Sequence, residues 1–147
     1  MATASTETNT FKFELVTPDQ VLLTLDADKL VAKSKTGEFG VLPKHADMVC
    51  ELDTAPLRYW YRGQEEFVAV MGGVLEVTDN KVTVITDYAK RGEDIDEARA
   101  NQEAERAKTE LNMLKSKDTN HRDLLIAEYR LQREMILLQT SKLRRNK

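Results

Sequence analysis

The chain has 147 residues, 41% of them hydrophobic and 32% charged, a length for one compact domain or a small domain with an appendage and too short for most cofactor enzymes built from two halves. The charged share runs above the usual quarter, so some stretch is strongly solvated. One cysteine, Cys50, and two histidines, His45 and His121, give no internal disulfide and no metal-ligand cluster, and no apolar run approaches the roughly 18 residues of a membrane span.

Residues 1–10 are rich in threonine, lack arginine and carry neither a basic nor an apolar signal region, so they read as a disordered extension without a secretory signal. From Phe11 to Thr86 the hydrophobic period is mostly two. Phe11, Phe13 and Leu15 alternate with Lys12 and Glu14 until Pro18-Asp19 stops the run. Leu57, Tyr59 and Tyr61 share one face of a later run that turns at Arg62-Gly63, and two further runs, Val74–Val77 and Lys81–Ile85, flank Asp79-Asn80, a tight hairpin turn. About ten strands of about five residues exceed what one open sheet of this size holds, which predicts a two-layer antiparallel β-sandwich over residues 11–89.

Past Arg91-Gly92 the period becomes helical. Asp94 followed by Glu97 resembles a capping box, and Ala100, Ala104, Ala107, Leu111 and Leu114 form a narrow, alanine-rich seam. Asp118 and Thr119 are available as caps for a second helix from about His121 to Arg144, with Leu124, Leu131, Met135 and Leu138 on one stripe. Residues 90–147 therefore read as an antiparallel two-helix hairpin, and the whole as an α+β chain. A seam of small residues buries little apolar area, so the hairpin is expected to be the less firmly held part. Met135-Ile136-Leu137-Leu138 is apolar around more of the helix than one contact needs, so this stretch either buries deeply or meets a second partner.

Charge divides at the same place. Residues 1–89 hold 8 Lys and Arg against 14 Asp and Glu, a balance of −6; residues 90–147 hold 14 against 11, a balance of +3. Residues 130–147 alone carry +5, and such a tail suits an acidic partner or an anionic surface. Chemistry is scarce. Cys50 and His45 lack the orienting third group of a nucleophilic pair, which leaves a small hydrolase as the weakest reading and a core cysteine as the better one. Gly72-Gly73 stands between strands as a bend or bulge, and neither a phosphate-loop nor a dinucleotide-binding glycine pattern is present. Nucleic-acid binding is disfavoured by the acidic total and by the lack of aromatics interleaved with the basic tail beyond Tyr129.

Three motifs in order, Gly37-Glu38-Phe39-Gly40-Val41-Leu42-Pro43-Lys44-His45-Ala46, Met71-Gly72-Gly73-Val74-Leu75-Glu76-Val77 and Asp94-Ile95-Asp96-Glu97-Ala98-Arg99-Ala100, resemble the epsilon subunit of F-type ATP synthases across nearly all of residues 11–145. The resemblance implies a central-stalk subunit without catalysis of its own, whose ten-stranded sandwich binds the gamma subunit and rests on the ring of c subunits. Glu38 and His45 match the contact with that ring, and Met71, Gly72, Gly73 and Val74 match the region facing gamma. It also implies a hairpin that lies on the sandwich or extends toward the alpha/beta hexamer, where basic residues, here Arg130, Arg133, Arg144 and Arg145, approach an acidic segment of beta and restrain ATP hydrolysis. No cofactor is required. Some members bind a regulatory ATP at the hairpin, and Ile95, Asp96, Arg99, Ala100, Arg106 and Arg133 match that site, whereas Lys90 and Leu137 stand where nucleotide binders carry an acidic residue and an arginine. The location implied is peripheral, through the complex, on the cytoplasmic face of a bacterial membrane or the stromal face of a thylakoid. The competing reading is a scaffold or coiled-coil interaction module.

Overall fold

The computed structural model describes residues 9–117 and 120–147. Residues 1–8 of the expected extension, and the expected caps Asp118 and Thr119, lie outside them. Eight strands come first: β1 (Phe11–Val16), β2 (Val21–Ala27), β3 (Lys29–Ser34), β4 (Gly37–Val41), β5 (Met48–Tyr61), β6 (Gln64–Thr78), β7 (Lys81–Ile85) and β8 (Ala89–Arg91). They pair in the order β2-β1-β7-β6-β5-β3-β4, with β8 against β6. All pairs are antiparallel except β1 with β7, because the chain returns from the β6–β7 hairpin to lie beside its first strand in the same direction.

The strand count of eight differs from the expected ten because β5 and β6 are 14 and 15 residues long. They stay in one register throughout, and their pairing lapses only between Leu52↔Gly73 and Thr54↔Met71. There the side of the strand that faces the core changes phase. In β5 the inward residues are Met48, Cys50 and Leu52, then Leu57, Tyr59 and Tyr61; in β6 they are Val68 and Val70, then Leu75 and Val77. Each long strand therefore passes from one layer of the sandwich to the other, and β6 exchanges β8 for β7 as its second neighbour on the way. The crossing needs backbone that L side chains rarely adopt, which Gly72 (φ +68°) and Gly73 (φ +115°) supply. Asp79 (φ +50°) and Asn80 (φ +60°) make the left-handed pair of a tight hairpin turn, as do Arg62 and Gly63.

A 3₁₀ turn (Gly92–Asp94) leads into α1 (Glu97–Lys115), which is followed by α2 (His121–Arg145). The expected cap Asp94 is instead the end of the 3₁₀ turn, and Asp96 caps α1, its carboxylate accepting from Arg99 N–H at 3.1 Å. Ile95 explains the shift: it is extended and packs beside Tyr88 against the hairpin's apolar cluster, so the helix starts only after it. Asn120 caps α2 by accepting from Asp123 N–H at 2.9 Å.

Ala100, Ala104, Ala107 and Leu111 are buried as the seam requires. The expected stripe of α2 is partly displaced. Met135 is 47% exposed, and the buried positions are Ala127, Glu134, Ile136, Leu137 and Thr140. One side of α2 meets α1 while another side, carrying Ile136 and Leu137, rests on Ala69 and Met71 of β6, and the half-exposed Met135 borders the grooves beside both contacts. Two contacts on adjacent sides account for most of the apolar run. They also account for five successive buried residues in β6, Phe67 to Met71: Val68 and Val70 face the sandwich core, Ala69 and Met71 the hairpin. The hairpin is held through a cluster of five buried residues against seventeen in the sandwich core, so apolar burial secures it less firmly.

Candidate functional site

Glu38, the second residue of β4, holds its side chain 65% exposed beside Arg58 at 3.7 Å and lies opposite Lys33 in register. His45 sits beyond the other end of the same strand. Its N–H donates to the Leu42 carbonyl at 3.1 Å and its Nδ1 to the Ala46 carbonyl at 2.7 Å, while Lys44 (φ +67°) donates its N–H to Asn80 Oδ1 at 2.7 Å. Glu38 and His45 therefore occupy opposite ends of β4 rather than one joint patch. The His45 ring is tied to its neighbour's carbonyl, and burial pushes the half-buried Cys50 thiol up, so the two do not form an activated pair.

Met71 and Val74 face different surroundings. Met71 is buried under the hairpin, whereas Val74 is exposed on the far side of the layer crossing. Val74 continues a row that sequence reasoning missed. Across the sheet, Val21, Val16, Ile85 and Val74 stand side by side in register on β2, β1, β7 and β6, and Glu51 follows on β5. Val21, Ile85 and Val74 are exposed, an apolar strip on a sheet face whose next row carries Glu14 and Glu76. The signal for it was a β-branched residue at an outward position in each of four strands.

The start of α1, the 3₁₀ turn and the middle of α2 enclose a cleft of about 400 Å³. It brings together Ile95, Asp96, Arg99, Ala100 and Arg133. Arg106 is not among them. It lies two turns further along α1, paired with Glu103 at 3.1 Å, and borders a separate groove with Met113 and Leu114. Seven residues at 1.5 Å each carry it about 10 Å past Arg99. Tyr88, Asp94, Glu103, Arg130 and Glu134 complete the lining and were absent from the expected set, as were Lys90 and Leu137, read above as departures.

The cleft is a place of balanced charge. Arg133 Nε donates to Glu134 at 3.3 Å, and its guanidinium lies 5.5 Å from the Tyr88 ring centroid. Burial lifts the Tyr88 phenol above its ordinary range, with Arg133 pulling it back and Glu134 adding to the rise. Arg130 is engaged by Glu110 of α1 at 3.3 Å. Lys90, Arg99, Arg130 and Arg133 can thus turn toward a polyanion, provided that it displaces the carboxylates that now hold two of them. Arg144 and Arg145 are elsewhere, at the end of α2 about 16 Å along the helix from Arg133. The four basic residues form two pairs, not one patch. Among the described residues no group of three or more His, Cys, Asp and Glu is arranged to hold a metal ion, and no helix is long and apolar enough to cross a membrane.

Two family descriptions divide the chain between them: "ATP synthase, Delta/Epsilon chain, beta-sandwich domain" over residues 10–92 and "ATP synthase, Delta/Epsilon chain, long alpha-helix domain" over residues 93–142. The chain is 38% identical to the ATP synthase epsilon chain of Herpetosiphon aurantiacus over 136 residues, 92% of this chain and 97% of that one. It is 45% identical to the epsilon chain of Carboxydothermus hydrogenoformans over 100 residues, 68% of this chain and 75% of the relative. In fold it resembles a chain of the Euglena gracilis mitochondrial ATP synthase OSCP/F1/c-ring structure, with a TM-score of 0.69, 23% identity, and 88% of this chain and 79% of that chain covered. The chain belongs to the delta/epsilon family of ATP synthase subunits, on the epsilon side of it.

Proposed function

We propose that the chain is a non-catalytic central-stalk subunit of a rotary F-type ATP synthase, that its sandwich couples gamma to the ring of c subunits, and that its hairpin restrains ATP hydrolysis. The observation that carries this reading is the difference in hold between the two parts. A sandwich with a deep core bears a basic hairpin attached through one small apolar cluster, and two packings of such an element need differ by only a few kcal/mol to act as a switch. Residues 11–89 serve as the coupling part and 90–147 as the movable part. Glu38 and His45 meet the c-ring. Val74, with Gly72 and Gly73 at the layer crossing, meets gamma, Met71 joins them only when the hairpin has lifted off it, and the apolar row from Val21 to Val74 enlarges the surface available.

Extended toward the alpha/beta hexamer, the hairpin presents Arg130, Arg133, Arg144 and Arg145 to an acidic segment. Folded, it closes the cleft in which Ile95, Asp96, Arg99, Ala100 and Arg133 surround the place for a regulatory ATP, without Arg106. The subunit works on the cytoplasmic face of a bacterial plasma membrane, bound through the complex. The test is ATP hydrolysis by the cognate catalytic core stripped of this subunit, after adding back the full chain or one with all four arginines replaced by glutamine. Inhibition by the first and much weaker inhibition by the second is the expected result; equal inhibition removes the basic residues from the mechanism.

A further inference from the structure

The end of α2 is strapped to three other elements. Arg145 Nη1 donates to Glu97 Oε1 at 2.7 Å and Ser141 Oγ donates to Glu97 Oε2 at 3.1 Å, so both oxygens of the first residue of α1 are taken by the last turns of α2. Beyond them Lys147 Nζ donates to the Glu65 carbonyl in β6 and lies 6.0 Å from the Phe67 ring centroid. Arg144 lays its stem over the 3₁₀ turn: a Cβ on Gly92 would come within 3.0 Å of Arg144 Cδ and 2.9 Å of the Phe67 carbonyl oxygen, so glycine leaves the room in which this end settles. One carboxylate at the head of α1 and one carbonyl of the sandwich thus receive Arg145 and Lys147, two of the cations at the end of α2.

We propose that Glu97 is an internal competitor for the basic end of α2, which occupies Arg145 while the hairpin is folded and must be displaced by an acidic partner before the hairpin can act. This rests on the hairpin being the movable inhibitory element. Glu97 holds Arg145 at 2.7 Å against the head of α1, so an acidic partner elsewhere must compete with it for the position and charge of that guanidinium, and the folded and engaged states share one set of charges. The two members of the pair therefore have opposite effects. Removing the Glu97 charge weakens the folded state alone, whereas removing the Arg145 charge weakens the folded state and the engaged state together. A merely structural ion pair gives the same sign from either side.

The test uses the full chain with Glu97→Gln, Arg145→Gln and the double substitution; glutamine at 97 keeps an acceptor for Ser141. The first readout is hydrogen exchange in the last two turns of α2 of the isolated chain. Glu97 is 31% exposed and Arg145 59%, and a partly exposed pair of this kind shifts the opening equilibrium by about two- to fivefold, so exchange quickens by that factor in both single variants. The second readout is the concentration giving half-inhibition of the cognate catalytic core. Glu97→Gln lowers it by about two- to fivefold, and Arg145→Gln leaves it at or above the unsubstituted value. Unchanged exchange in Glu97→Gln overturns the strap, and a shift of inhibition in the same direction for both single variants overturns the competition. If the unsubstituted chain fails to inhibit, the reading of the hairpin as a brake has failed, while the exchange readout still decides whether Glu97 seats α2.

Discussion

Gly73 passes the carbonyl oxygen of Ile85 so closely that a Cβ at position 73 would sit 2.2 Å from it, at a backbone φ of +115°. No L side chain fits there without moving β6 away from β7, at the point where β6 changes layers. Gly73→Ala is therefore expected to cost about 3 kcal/mol or more in urea unfolding. Gly63 provides the control. It also has a positive φ (+79°) but nothing lies within 4 Å of its would-be Cβ, so Gly63→Ala is expected to cost only about 1 kcal/mol. Equal losses at the two positions contradict the crowding argument.

Asn80 ties three chain segments together. It adopts φ +60° in the β6–β7 turn, its Oδ1 accepts from Lys44 N–H, and its Nδ2 donates to the Thr10 carbonyl at 3.0 Å. Asn80→Ala loses both bonds and the residue's tolerance of left-handed backbone, an expected loss of about 2–3 kcal/mol. Asn80→Asp keeps the acceptor and loses the donor, so it retains more stability at neutral pH.

Ile136 is 3% exposed in the small cluster with Ala69 and Met71 that joins the hairpin to the sandwich. Ile136→Ala is expected to cost about 2–4 kcal/mol of docking. Because the cluster is separate from the sandwich core, exchange should quicken in α1 and α2 and stay unchanged in β1 and β7. Acceleration in those strands as well would show one cooperative unit rather than two.

Burial raises the Cys50 thiol above its ordinary value, which favours the neutral form in the folded chain. The sign follows: the contribution to stability is present below the unfolded pKa and is lost as pH rises through the folded one. At pH 8 alkylation of Cys50 in the folded chain should run several times more slowly than in urea-unfolded chain. Equal rates would place the thiol in solvent.

Much of the sandwich is legible locally. The alternation of Phe11, Phe13 and Leu15, and the turns at Arg62-Gly63 and Asp79-Asn80, depend on neighbours in sequence, and the structure has them as expected. The eight-strand count was not legible in this way, because a strand that crosses between layers reads as two, each with its own inward phase. The N-cap turned on tertiary contact. Asp94 and Asp96 offer the same local chemistry, and the burial of Ile95 against the hairpin chooses between them. In α2 the apolar run Met135 to Leu138 points to a burial beyond the seam, but that β6 supplies it, and that Met135 stays half-exposed at its border, follows only from the fold. In the cleft, the motif Ile95 to Ala100 was legible because it is continuous in sequence, running through the cap into the first turn of α1. Tyr88, Arg130 and Glu134 come from elements that meet only in the fold, and Arg106 shares a helix with Arg99 without sharing its cleft.

On the proposed function, the hairpin must leave the sandwich to restrain hydrolysis. Thr54 on β5 and Gln139 on α2 border one groove between the two parts, so cysteines at both, in a chain with Cys50→Ala, can be joined by a short bis-maleimide. Steady ATP hydrolysis by the cognate catalytic core is then compared with the joined and unjoined chains at equal occupancy. The unjoined chain is expected to inhibit and the joined chain to bind without inhibiting. Full inhibition by the joined chain would contradict it, since a hairpin fixed on its own sandwich would then be sufficient.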